Sequence, residues 1–107
     1  MQVIKAAELA QWLADASRAK PVLLDVREGW EVQTCAMPGI THIPMRDIPA
    51  RAAELDEDAD IVCICHHGAR SMQVAAYLER QGYAKVYNLT GGVDAWASDV
   101  DPAMPKY

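Results

Sequence analysis

Apolar residues recur at Leu9, Trp12, Leu13 and Ala16, the i, i+3, i+4, i+7 spacing of a single helix face, and predict an amphipathic helix over residues 6–17. The next apolar run, Val22-Leu23-Leu24-Asp25-Val26 behind Pro21, is too short for a helix and reads as a strand buried on both faces. It ends in charge, at Asp25, Arg27 and Glu28. A second extended piece, Thr41-His42-Ile43, follows the turn Met37-Pro38-Gly39. Pro49 suits the first turn of a short helix whose Ile48, Ala52 and Leu55 share one face. The acidic stretch Asp56 to Asp60 is expected as a solvated loop. Ile61-Val62-Cys63-Ile64 is the strongest strand candidate in the chain. Ser71, Val74, Ala75 and Leu78 then form another helical face, and Gly82 stands where that helix should end. Val86-Tyr87-Asn88-Leu89 reads as the last strand, and Gly91-Gly92 turns into a short segment holding Trp96.

Strands alternating with helices predict an α/β fold, a parallel β-sheet flanked by helices on both faces. In such sheets ligands bind beyond the carboxyl ends of the strands, and Asp25, Cys65 and Gly91 all fall near that edge. No repeat, low-complexity segment or linker interrupts the 107 residues, so residues 1–107 are expected to fold as one domain.

Composition removes several function classes. With 51% apolar and 23% charged residues the chain has the make-up of an ordinary globular protein. A net charge of −5 and the absence of any Lys/Arg cluster argue against a nucleic-acid partner. No apolar stretch is long enough to span a bilayer, which argues against a membrane role. The start, MQVIKAAELAQWL, lacks the basic, apolar and small-residue regions of a secretory signal, so a cytoplasmic location is expected. The three cysteines, an odd number, are then expected as free thiols, with Cys35 a packing residue.

The chemistry is concentrated in CICHHGARS, Cys63 to Ser71. Cys63, Cys65, His66 and His67 are zinc-type ligands, but their spacing is too close for the usual knuckle and Cys63 lies inside the apolar strand, so no metal is expected. A Cys63–Cys65 disulfide would have to bridge about 6.8 Å between Cα atoms along a strand, the limit of unstrained geometry. What is left is a thiol at a strand end followed by a turn that opens a helix. On this reading Cys63 is the last buried position of its strand face and Cys65 the first exposed one. If Ser71 begins and caps the helix, the amides from His66 to Ser71 turn inward, and they, the helix dipole and the Arg70 charge all favour thiolate over thiol at Cys65. Gly68 lets the loop curl without a Cβ meeting the bound group. His66 and His67 each contribute an amide, and either side chain is as well read as a solvent-exposed group that tunes local charge.

CHHGARS resembles the Cys-x-x-Gly-x-Arg-Ser loop of the rhodanese family of sulfurtransferases. Leu24-Asp25-Val26-Arg27-Glu28, the Pro38-Gly39 turn leading to Ile43-Pro44, and Leu89-Thr90-Gly91-Gly92 followed by Trp96 match that family in order and spacing, within a motif-bearing region of about 20–98. The resemblance implies a single-domain rhodanese that passes sulfane sulfur from a donor such as thiosulfate to a thiophilic acceptor, cyanide, a thiol or a protein, with no cofactor. It implies Cys65 as the persulfide carrier, His66, His67, Gly68, Ala69 and Arg70 as the cradle, and Arg70 as the group holding the anionic end of the donor. Asp25 and Arg27 match a strand-end pair near the pocket and are better read as an ion pair that fixes neighbouring loops. One departure stands out: the family's Gly-His-Ile-Pro-Gly is replaced by Cys35-Ala36-Met37-Pro38-Gly39, which removes a polar contact from a supporting turn. Two alternatives remain. Cysteine phosphatases and arsenate reductases use a similar thiolate, but Cys65 and Arg70 are five positions apart, one fewer than phosphatase loops have. A non-enzymatic rhodanese-like binding module would not need the cysteine that this chain keeps.

Overall fold

The computed structural model describes residues 1–107. Along the chain run β1 (Gln2–Ile4), α1 (Ala6–Ala14), β2 (Val22–Asp25), α2 (Gly29–Thr34), β3 (Thr41–His42), α3 (Ile48–Arg51), β4 (Ile61–Ile64), α4 (Ala69–Arg80), β5 (Val86–Leu89) and α5 (Gly92–Asp99). All strand pairs are parallel, in the order β1-β5-β4-β2-β3. No helix is long and apolar enough to cross a membrane.

The alternation of side chains along each strand divides the core in two. Leu23, Val62, Ile64 and Leu89 point to the face covered by Leu9 and Trp12 of α1 and Val93 and Trp96 of α5. Leu24, Ile61, Cys63 and Val86 point to the other face, under Ile48 of α3 and Val74, Ala75 and Leu78 of α4. This two-sided burial explains why β2 and β4 read as unbroken apolar runs. Helices on both faces of a parallel sheet were expected from the sequence, and the structure bears that out.

Three local expectations need correcting. The first helix stops at Ala14, not residue 17, because the Asp15 carboxylate turns the chain by accepting from the Ser17 amide (2.9 Å) and hydroxyl (2.6 Å). The edge strand β1 was not foreseen: it has three residues, of which only Ile4 is buried, so it carries no usable periodicity. Nor was α2, whose six residues are held by the Glu31 carboxylate reaching back to the Glu28 amide at 3.0 Å. The Ile48 helix is one turn of α-helix continued by a 3₁₀ turn, Ala52–Glu54, and Asp56 to Asp58 is exposed as expected.

The strand order reverses between β2 and β4. The loop after β2 leads outward to β3, and the loop after β4 leads the opposite way to β5. This is the switch point at which open α/β sheets bind ligands, and Asp25 and Ile64 are register partners there. The turn from β5 into α5 closes it from one side. Gly92 holds φ +58°, and a Cβ on it would drive into the carbonyl oxygens of Cys65 and His66.

Leu78 is fully buried beneath β4 and β5, and Leu78→Ala should cost about 2–5 kcal/mol in urea unfolding. Gly92→Ala combines a positive φ with a backbone collision and should destabilise by about 1–3 kcal/mol. Gly29→Ala, whose Cβ would meet nothing within 4 Å, should leave the unfolding midpoint unchanged or slightly raised.

Candidate functional site

The residues that the sequence singles out gather at this switch point. Cys65 is the first residue past β4, and its Sγ accepts from the Gly68 amide at 3.0 Å. Gly68 makes that turn at φ +108°, a conformation that L side chains rarely adopt, with the backbone of Leu89 and Gly91 close behind its Cα. The positive φ of the turn favours glycine there, and a Cβ would also press on the backbone of Leu89 and Gly91 at 3.4 Å.

Cys65 is not the exposed residue that its position suggested. It is 1% exposed and packs with Cys63 on the α4 side of the sheet, because two positions along a strand direction share a face. The two thiols still differ. Cys63 lies among apolar side chains, and burial pushes its pKa up to about 12, whereas Cys65 has an amide donating to its sulfur and a hydroxyl oxygen 3.3 Å from it.

That hydroxyl belongs to Ser71, which neither begins nor caps the helix. α4 opens at Ala69 behind Gly68, and Ser71 is a buried first-turn residue. Its Oγ lies 2.5 Å from Asn88 Oδ1, 3.2 Å from the Gly68 carbonyl and 3.3 Å from Cys65 Sγ. Asn88 Nδ2 also donates to the Gly68 carbonyl (3.1 Å), so a polar residue of β5 fixes both the loop and the hydroxyl over the sulfur. The sequence carried a signal for this, since Asn88 interrupts an otherwise apolar strand and a buried amide needs partners.

Two helix N-termini meet the loop. The first-turn amides of α4 have no partners within their own helix, and the amide of Gly68 just before them donates to the sulfur. At the start of α5, the Val93 amide donates to the Cys65 carbonyl (2.9 Å) and the Asp94 amide to the His66 carbonyl (3.1 Å). The Leu-Thr-Gly-Gly motif thus positions the loop from behind.

Arg70 lies at the far end of the loop, held by Glu31 of α2 through Nη1–Oε1 (2.6 Å) and Nη2–Oε2 (2.9 Å). The Arg70 hydrogen bonds outweigh burial and hold the Glu31 carboxyl well below its usual range, at about 2. Glu31 was not identified from the sequence, because a residue 39 positions away leaves no spacing signal. The same is true of Tyr107, whose hydroxyl donates to Glu31 Oε2 (2.8 Å) and accepts from Arg27 Nη1 (3.0 Å).

Asp25 and Arg27 form the expected ion pair, fully buried, with Arg27 Nη2 2.7 Å from Asp25 Oδ2. Arg27 also donates to the Cys35 carbonyl (2.7 Å), and its own carbonyl contacts His42 Nε2 (2.7 Å). The pair ties the ends of β2, α2 and β3 together and does not touch Cys65. Cys35 is buried, as a packing residue should be. His66 stacks between His67 (4.0 Å) and Tyr107 (4.0 Å), and burial followed by its neighbour His67 lowers its pKa. His67 is exposed, 3.9 Å from Asp94.

Known proteins agree with this geometry. The model of the Rhodanese-like domain matches residues 6–99. The chain is 43% identical over 94 residues to a sulfurtransferase of Allochromatium vinosum, covering 88% of this chain and 86% of that one. It is 45% identical to the putative sulfurtransferase YtwF of Bacillus subtilis over 75% of this chain and 77% of that one. Against Rhodanese-like/PpiC domain-containing protein 12 of Arabidopsis thaliana it is 40% identical and spans 30% of that longer protein. The crystal structure of SSP1007 from Staphylococcus saprophyticus superposes with a TM-score of 0.85 at 31% identity, covering 98% of this chain and 99% of that one. A strand-end cysteine in a Cys-x-x-Gly-x-Arg-Ser turn, at the switch point of a five-stranded parallel sheet, agrees with all of these: the chain belongs to the rhodanese family.

Proposed function

We propose that the protein is a sulfurtransferase that carries sulfane sulfur as a persulfide on Cys65, with thiosulfate or a similar anion as donor. The observation that carries this reading is the Gly68 amide donating to the Cys65 sulfur at 3.0 Å, inside a ring that ends at Arg70. That amide, at the positive end of α4, stabilises negative charge on sulfur without a neighbouring general base. The five-position span from Cys65 to Arg70 suits one terminal sulfur atom better than a tetrahedral phosphate. A relative named thiosulfate sulfurtransferase GlpE, from Pseudomonas savastanoi, is 37% identical over 70% of the chain and supports the choice of donor.

Two displacements complete the cycle. The Cys65 thiolate attacks the outer sulfur of thiosulfate, forming a sulfur–sulfur bond to cysteine as the bond to the sulfonate sulfur breaks and sulfite leaves with its electron pair. The terminal sulfur of the persulfide then carries the negative charge into the amides of the α4 first turn. An acceptor nucleophile, a thiolate or cyanide, attacks that outer sulfur, and Cys65 departs as thiolate. Arg70 need not release Glu31 to assist. Glu31 occupies two of the five guanidinium N–H groups, and Arg70 keeps enough exposure to reach the departing anion.

Intact-mass measurement after thiosulfate treatment should show one added sulfur atom, removed by cyanide with formation of thiocyanate and absent in Cys65→Ser. A protein that forms no adduct with thiosulfate, or one whose adduct survives in Cys65→Ser, would overturn the reading. The Arg70 support has a pH signature. A carboxyl lowered from 4.5 to about 2 stabilises the fold fully above its unfolded pKa, and that contribution is lost as pH falls from about 4.5 towards 2. Discounted for the exposure of Arg70, it is worth about 2 kcal/mol. Glu31→Gln should therefore be less stable by about that amount at pH 7, and its stability should fall less between pH 5 and 2, as read by urea titrations across that range.

A further inference from the structure

Cys65 is 1% exposed. The molecule has two surface cavities, one of about 410 Å³ between β1 and α1 and one of about 370 Å³ between α3 and α4, and neither reaches the thiol. A sulfur that must meet a donor and then an acceptor cannot do so from beneath that cover, so part of the rim has to move.

Most of the rim is tied down. The Cys65, His66 and Gly68 carbonyls are held by Val93, Asp94 and Asn88, and Arg70 by Glu31. Tyr107 is attached differently. The chain beyond α5 is anchored at Met104, which is buried in the core and whose amide donates to the Asp101 carbonyl at 3.0 Å. From Pro105 to Tyr107 no backbone amide takes part in a backbone hydrogen bond. This stretch is held by its side chains: Lys106 at Ser98 (2.5 Å) and Asp94 (3.7 Å), and Tyr107 on the site itself.

The position of Tyr107 is specific. Its ring lies parallel to His66, the first residue of the loop after Cys65, at 4.0 Å and 12°. Its hydroxyl donates to Glu31 Oε2, the oxygen that also receives Arg70, the last residue of the ring. Trp30 braces it edge-on at 5.7 Å. One side chain therefore bridges the two ends of the loop that encircles the sulfur. Burial pushes the phenol pKa up to about 12, so the group stays a neutral proton donor and adds no negative charge to the path of an anion.

We propose that Tyr107 is the gate of the sulfur site: its ring closes the mouth between His66 and Glu31, and it swings out on Pro105 and Lys106 to admit donor and acceptor. Opening breaks two hydrogen bonds, the stack on His66 and the edge contact with Trp30, and leaves the cradle intact, because none of the cradle's own bonds involves Tyr107. The inference rests on Cys65 as the reacting thiol.

The test uses the full chain and needs no sulfur chemistry. Iodoacetamide and a bulky maleimide are reacted with wild type, Tyr107→Ala and Tyr107→Phe, and each cysteine is followed by peptide mass. Tyr107→Ala should speed modification of Cys65 by about ten-fold or more, the factor expected from releasing two ordinary hydrogen bonds, with a larger gain for the bulky reagent. Tyr107→Phe keeps the ring and loses both hydroxyl bonds, and should fall between the two. Cys35 and Cys63 should stay unmodified in all three proteins. Unchanged Cys65 rates in Tyr107→Ala would overturn the gate, and so would an equal rise at Cys35 and Cys63, which would mean general loosening. If Tyr107→Ala fails to fold, a rise confined to Cys65 in Tyr107→Phe supports the gate and its absence overturns it. A protein that shows this pattern but takes no sulfur from thiosulfate keeps the gate and loses the proposed function.

Discussion

Arg27 carries a full positive charge where no water reaches it, and the site is assembled around the need to satisfy that charge. Asp25 neutralises it from the end of β2. The remaining guanidinium hydrogens go to the carbonyls of Glu31 and Cys35 and to the hydroxyl of Tyr107. One side chain thereby fixes where β2 ends, how α2 lies across the sheet edge and where the chain leaves α2. A buried ion pair is a poor source of net stability, but losing either partner strands an uncompensated charge. Its use here is geometric. It sets the orientation of α2, and α2 carries Glu31.

From Glu31 the constraint passes to the loop. Glu31 grips Arg70 in the first turn of α4, and Gly68 at the start of that turn donates its amide to Cys65. The opposite side of the loop is held by the amides of α5 on the Cys65 and His66 carbonyls, an approach that only a residue without a Cβ at position 92 permits. The loop is thus fixed at both ends by charge and by helix termini, and along its middle by Asn88 and Gly68. Preorganised donors of this kind cost no rearrangement when charge develops on the sulfur. Cys65 lies on a loop, and the loop's rigidity comes from three surrounding elements.

Where local rules were strong, the sequence was legible. The apolar runs of β2, β4 and β5 and the helical faces of α1 and α4 are set by backbone periodicity and two-sided burial, and each appeared within a few residues of its predicted place. Short or edge elements were not legible. β1 buries one residue and α2 is a single capped turn and a half, so neither repeats a pattern often enough to be recognised. Cys65 is the most telling miss. Its place just past the strand suggested exposure, but the loop and α4 pack against it, and a strand pattern describes neither.

By itself the sequence determined the order of the longer elements, the parallel sheet, the identity of the loop and the distance from Cys65 to Arg70, because all of these rest on patterns along the chain. The tertiary structure alone decided which carboxylate holds Arg70, which amide orients Ser71 and which ring stacks on His66. Glu31 and Arg70 are 39 positions apart, and Tyr107 and Glu31 are 76. No periodicity spans such intervals. These partners are selected by the need of buried charges and polar groups for complements, a need that becomes specific only once the sheet has brought the ends of its strands together.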